Sequence, residues 1–127
     1  MPVDRAAVAA WLAAYVDAWR SYDPAAIGEL FSEDATYRYH PWDEPVRGRA
    51  AIVADWRADQ DPPGSWEAAY EPVAVDGDVA VATGRSRYAA SGDTPAREYW
   101  NLWVLRFDGD GRCADFTEWF MLAPADG

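Results

Sequence analysis

Tyr99-Trp-Asn-Leu-Trp-Val-Leu-Arg-Phe-Asp-Gly-Asp-Gly-Arg-Cys-Ala-Asp-Phe-Thr-Glu-Trp-Phe-Met121 holds two apolar and aromatic runs around a turn. Asp108-Gly109-Asp110-Gly111 is a Gly-containing connection of the kind that favours a hairpin. Successive side chains of a strand point to opposite faces. The first run therefore puts Tyr99, Asn101, Trp103, Leu105 and Phe107 on one face, and Trp100, Leu102 and Val104 on the other. In the second run Phe116, Glu118 and Phe120 share a face, opposite Thr117, Trp119 and Met121. Both faces are too apolar for a sheet wetted on one side. One is expected to pack on helices and the other on a partner chain, with a homodimer the simplest arrangement.

The rest of the chain supplies the other layers. Upstream, Asp76-Gly77 and Ser91-Gly92-Asp93 divide residues after Ser65 into strands at about 66–75 and 78–90, ahead of 96–107 and 112–122. Near the start, Val8, Trp11, Leu12, Tyr15, Val16, Trp19 and Tyr22 recur at three- and four-residue spacing, so a helix with one apolar stripe is expected. Asp4 can cap it, and Tyr22-Asp23-Pro24 stops it. Asp23 then opens a short second helix through Phe31, with Pro24 at its first position. Ala35 to His40 reads as a strand, Pro41 to Pro45 as a rigid loop, and about Arg49 to Asp59 as a third helix. Three helices and a strand followed by a four-stranded meander make a single α+β domain over residues 1–127, with helices on one sheet face.

Composition narrows the chemistry. The 127 residues carry a net charge of −11, one His (His40), one Cys (Cys113), and eleven basic residues that are all Arg. With no lysine there is no Schiff base, phosphate-loop lysine or pyridoxal anchor. One His and one Cys cannot build a tetrahedral Cys/His zinc site, and neither a metal nor a cofactor is expected. The lone cysteine excludes an internal disulfide and suits a reducing cytoplasm. No stretch approaches the ~20 apolar residues of a membrane span, and the N-terminus lacks the pattern of a signal peptide. Scattered arginines on an acidic chain exclude a phosphate-backbone partner, so no nucleic acid is expected. What remains is an aromatic surplus of 8 Trp, 7 Tyr and 4 Phe.

Four segments in order, Phe31-Ser-Glu-Asp-Ala-Thr-Tyr37, Pro45-Val-Arg-Gly-Arg-Ala-Ala-Ile52, Val75-Asp-Gly-Asp-Val-Ala80 and Leu105-Arg-Phe-Asp-Gly-Asp-Gly-Arg112, resemble the NTF2-like superfamily of ketosteroid isomerases, SnoaL-like cyclases and scytalone dehydratase. The resemblance spans about residues 5–122. It implies a cone: a curved antiparallel sheet wrapped on a long N-terminal helix, an apolar pocket inside, and often a homodimer outside. Ketosteroid isomerases carry a helix tyrosine where this chain has Tyr15. Their general-base aspartate falls at Tyr39, and their second oxyanion donor at Trp103. Tyrosine, with an ordinary pKa near 10, is a poor base at neutral pH. Steroid isomerisation is therefore not expected. The Asp–Arg–Asp arrangement of epoxide hydrolase relatives is also not reproduced. The resemblance does place Trp103, Phe107, Phe116, Glu118 and Phe120 on the pocket side, in agreement with the strand parity.

Glu118, between Phe116 and Phe120, is the leading catalytic candidate, because desolvation there raises a carboxyl pKa toward a useful range. It is otherwise a structural carboxylate paired with Arg or Tyr. His40 has the only side chain with an ordinary pKa near neutrality; it is either a catalytic partner at the pocket mouth or a loop histidine beside Pro41. Tyr15 is a candidate hydrogen-bond donor. Trp19, Tyr37, Tyr39, Trp42, Trp56, Tyr99, Asn101, Trp103, Phe116 and Phe120 are the candidate ligand-binding set, since aromatics with polar tips line pockets well. Asp55, Asp59 and Asp61 read as a solvated helix end, Asp108-x-Asp110 as a turn rather than a calcium loop, and Cys113 as an apolar filler. Two functions fit: a protein that binds a small apolar or aromatic molecule, or an acid/base enzyme (cyclase, dehydratase or isomerase) using Glu118 with Tyr15 and His40.

Overall fold

The computed structural model describes residues 3–124. Helix α1 spans Arg5–Ser21, with the Asp4 carboxylate accepting from the Ala7 amide at 2.7 Å. Its expected stripe is buried: Val8, Trp11, Leu12, Tyr15 and Val16 all face inward. Tyr22 ends the helix in the left-handed region (φ 52°). Helix α2 is Pro24–Glu29, capped by Asp23, and α3 is Arg49–Ala58. The strands are β1 Phe31–Arg38, β2 Val46–Arg47, β3 Trp66–Asp76, β4 Val79–Tyr88, β5 Arg97–Phe107 and β6 Cys113–Leu122.

The six strands form one curved, unclosed sheet in the order β2-β1-β6-β5-β4-β3. The β3–β6 meander is antiparallel throughout, and its registers pair Gly84 with both Tyr70 and Asn101, and Trp103 with Glu118. Helices pack on the concave face. There Trp11 meets Phe31 and Phe107 edge-on, and Phe116 stacks between Tyr15 (5.7 Å) and Tyr37 (4.2 Å). Each fully buried ring of this kind contributes roughly 1.5–3 kcal/mol, so the aromatic surplus is largely the core of the cone.

Three expectations need correction. The sheet is not wholly antiparallel, because β1 runs parallel to β6, with Phe31 opposite Cys113 and Arg38 opposite Thr117. The strand expected at 35–40 starts earlier and ends at Arg38, and α2 stops at Glu29 rather than Phe31. The Leu30 carbonyl accepts from the Cys113 amide at 2.8 Å, which pulls the chain into the sheet from Phe31 onward. A register shift between Phe31 and Thr36 accommodates Ser32-Glu33-Asp34, whose polarity hides the strand from a periodicity reading. Between the Pro41–Pro45 loop and α3, Val46–Arg47 adds a short edge strand on β1.

Candidate functional site

Between α1, α3 and the concave face of β3–β6 lies a cavity of about 540 Å³. Its deep end is built by register. Trp103 and Glu118 are opposed across β5 and β6, and Asn101 lies two residues before Trp103 on the same face. Both neighbours donate to one carboxylate oxygen: Asn101 Nδ2 at 2.6 Å and Trp103 Nε1 at 2.8 Å from Glu118 Oε2. Ser86 Oγ donates to Asn101 Oδ1 at 3.1 Å and so fixes which end of the amide faces Glu118. Oε1 has no hydrogen-bond partner among the described residues.

Above the carboxylate, Tyr15 and Tyr37 join hydroxyls at 2.6 Å. Burial, more than the nearby Glu118 charge, pushes both phenols well above the ordinary tyrosine value, so both are neutral donors at any working pH. The walls are Trp56, Tyr99 and Phe120 together with Tyr70, whose ring stacks on Trp103 at 4.0 Å. At the mouth, Trp19 Nε1 donates to Asp61 at 3.0 Å, Tyr39 donates to Asp55, and Arg97 lies over the Tyr88 ring at 4.6 Å. Burial and the Asp55 partner also raise Tyr39, which leaves it without a role as a base.

Of the residues singled out from sequence, Tyr15, Trp19, Tyr37, Tyr39, Trp56, Tyr99, Asn101, Trp103, Glu118 and Phe120 line this cavity. Three do not. Phe116 is fully buried behind Tyr15 and Tyr37, a layer deeper than its parity implies. Trp42 is 80% exposed and stacks on His40 rather than entering the cone. His40 follows the end of β1, with Nδ1 2.9 Å from Asp43 and its ring 5.2 Å from Phe120. It is held by its own loop, outside the lining. Cys113 lies in the core at the opposite end of the β1–β6 pair, where burial raises its thiol pKa.

Sequence reasoning missed Tyr22, Tyr70, Ser86, Tyr88 and Arg97 as lining residues, along with Asp55, Asp59 and Asp61 at the mouth. A signal for two of them existed. In β4, Ala80, Ala82, Gly84, Ser86 and Tyr88 alternate with Val81, Thr83, Arg85 and Arg87, which marks the inner face. The three aspartates are not merely a solvated helix end, since Asp55 and Asp61 accept from cavity side chains. No group of three His, Cys, Asp or Glu side chains among the described residues is arranged to hold a metal ion.

The Glu118 carboxyl is raised above its ordinary value, chiefly by burial, with Trp103, Asn101 and, more weakly, His40 pulling the other way. The folded protein thus holds that proton more tightly than the unfolded chain. Its contribution to stability is complete below the ordinary carboxyl pKa of ~4.3 and is lost as pH rises through the raised value. Glu118→Gln keeps an oxygen for both N–H donors and removes the charge. Denaturant melts should show it more stable than the native chain at pH 8, with the gap closing toward pH 4. A gap independent of pH would mean that the carboxylate is not strained by its site.

Comparison with known proteins agrees with this architecture. The family model described as a SnoaL-like domain matches residues 12–116. Among solved structures, the chain is similar to a Mycobacterium tuberculosis LEH-like epoxide hydrolase, with 16% identity, a TM-score of 0.68, and coverage of 92% of this chain and 84% of that one. It is equally similar in fold to a ketosteroid isomerase-like protein from Kribbella flavida DSM 17836, with 21% identity, a TM-score of 0.68, and coverage of 98% and 86%. No curated protein matches the sequence.

Proposed function

The chain belongs to the SnoaL-like domain family, within the NTF2-like superfamily, and on that premise we propose that it binds a small apolar or aromatic molecule in the cone. The observation that carries this reading is the cavity itself: about 540 Å³, walled by aromatic rings, with Glu118, Asn101 and Ser86 converging at one end. That volume lies within the range of small-molecule sites, and aromatic walls carrying oriented polar groups are a usual make-up for them. The eight tryptophans supply the test. On titration with 1-indanone, the indole N–H resonances of Trp19 and Trp103 should move, while those of the outward-facing Trp42 and Trp100 stay fixed. Shifts confined to exposed tryptophans, or none, would refute the reading.

One observation favours turnover as a second reading. With both donors on Oε2, the partnerless Oε1 of Glu118 is free to take or give a proton, and its raised pKa suits the exchange. Exchange of the α-protons of 1-indanone in deuterated buffer should then be accelerated by the native chain and not by Glu118→Gln. Equal rates for both proteins would leave binding alone.

The convex face supports a homodimer. Trp100, Leu102, Trp119 and Met121 form a contiguous patch there, with Trp100 opposite Met121 and Leu102 opposite Trp119, and exposures from 37% to 75%. A patch of this kind usually marks an interface. Light scattering should give about twice the 14.1 kDa chain mass. Trp119→Arg, on the face opposite Glu118, should return a folded monomer; a native chain that is monomeric at micromolar concentration would exclude the dimer. No helix among the described residues is long and apolar enough to cross a membrane. The single buried thiol fits the cytoplasmic residence we propose.

A further inference from the structure

The cavity's charges are unbalanced. Four carboxylates line it (Glu118 at the deep end, and Asp55, Asp59 and Asp61 near the mouth) against one guanidinium, that of Arg97. Arg97 is already engaged with the Tyr88 ring. Among the described residues, no arginine or histidine hydrogen-bonds or ion-pairs with Glu118. Its Oε2 is satisfied by two N–H donors, while Oε1 has no protein partner among the described residues, and Glu118 lines the cavity.

An unpaired carboxylate in such a place is costly, and the cost is relieved either by taking up a proton or by a cation beside it. The walls would assist one. Faces of Tyr, Trp and Phe attract a desolvated cation through their quadrupoles, and the Arg97–Tyr88 contact shows the lining doing this at the mouth. An anion would meet several carboxylates at once, and a neutral ligand would leave an ionised Glu118 uncompensated at Oε1.

Resting on the binding reading above, we propose that the ligand is an organic cation, an ammonium-type head seated against Glu118 Oε1 with an apolar or aromatic body along Tyr70, Tyr99 and Phe120. Glu118 then serves as the ligand's counter-ion. This narrows the ligand class from apolar molecules in general to those that carry a positive charge on an apolar frame.

The test uses three molecules of nearly the same shape: phenyltrimethylammonium, its uncharged isostere tert-butylbenzene, and benzenesulfonate. Affinities are read from the Trp103 indole resonance of the full chain. The cation should bind about tenfold or more tighter than either comparator, although tert-butylbenzene has the smaller desolvation cost. In Glu118→Gln, whose fold is checked by its melt, the advantage over tert-butylbenzene should fall to about twofold or less, even though the chain as a whole remains strongly acidic. Equal or tighter binding of tert-butylbenzene by the native chain would overturn the charge preference and leave the cone as a binding site for neutral molecules. A cation preference unchanged in Glu118→Gln would overturn the assignment to Oε1. Failure of all three molecules and of 1-indanone would overturn the binding reading along with the inference.

Discussion

Trp103→Ala is expected to lose about 3–5 kcal/mol of stability, measured by denaturant unfolding, together with the cavity's affinity for any aromatic ligand. Trp103 is 2% exposed and its side chain meets α1, β3 and β6 at once. Its ring lies 4.0 Å from Tyr70, 4.5 Å from Tyr15 and 4.8 Å from Phe116, and its N–H serves Glu118. Deletion removes the burial of a large ring and leaves a void between a helix and two strands that cannot close around it. It also leaves Glu118 with Asn101 as its sole donor. Trp103→Phe separates these effects, since it keeps much of the packing and loses only the hydrogen bond. It should cost less stability than the alanine variant while further raising the Glu118 pKa, because a donor that favoured the charged form is gone. Equal losses for the two variants would show that the ring's volume matters little.

Gly84→Ala should be the most damaging single methyl in the molecule, by about 1–3 kcal/mol or more. A Cβ built on Gly84 would lie 2.2 Å from the Ala69 carbonyl oxygen and 2.3 Å from the Tyr70 ring. The first of these atoms is backbone in the neighbouring strand, so no rotamer change relieves it. Either the β3–β4 pairing opens or Tyr70 leaves its stack on Trp103. The mutant's unfolding should therefore be accompanied by a changed Tyr70–Trp103 environment, visible as a displaced Trp103 indole resonance before melting. An alanine variant as stable as the native chain, with that resonance unmoved, would contradict the close approach.

Gly84 also shows why the site was only partly legible in the sequence. Parity along 99–107 and 116–120 named Asn101, Trp103, Glu118 and Phe120, because each stands among apolar neighbours on a well-defined face. Tyr70 sits in Trp66-Glu-Ala-Ala-Tyr-Glu-Pro72, where nothing local distinguishes it. It reaches the cavity because residue 84 on the next strand has no side chain, a fact about pairing and not about either segment alone. The Asp55–Asp61 group misled for the opposite reason: its spacing suits a solvated helix end, and only the fold brings Trp19 and Tyr39 onto it. Helix α1 was plain from its stripe and cap. The β1–β6 pairing was not, since parallel partners about 80 residues apart leave no turn signal between them.

That pairing has a consequence for how the chain acquires its shape. The β3–β6 meander is made of contacts between neighbours in sequence, and such contacts form early and quickly. Joining Phe31 to Cys113 closes a loop containing most of the chain, and the entropy of closure must be met before the contact gives anything back. Until β6 joins the meander and offers its edge, Phe31 and Tyr37 lack their partners Cys113 and Phe116. The cone is thus sealed by its most distant strand pairing, so its slow step should be the arrival of β1, and the interval before it is when this aromatic-rich chain is most exposed to aggregation.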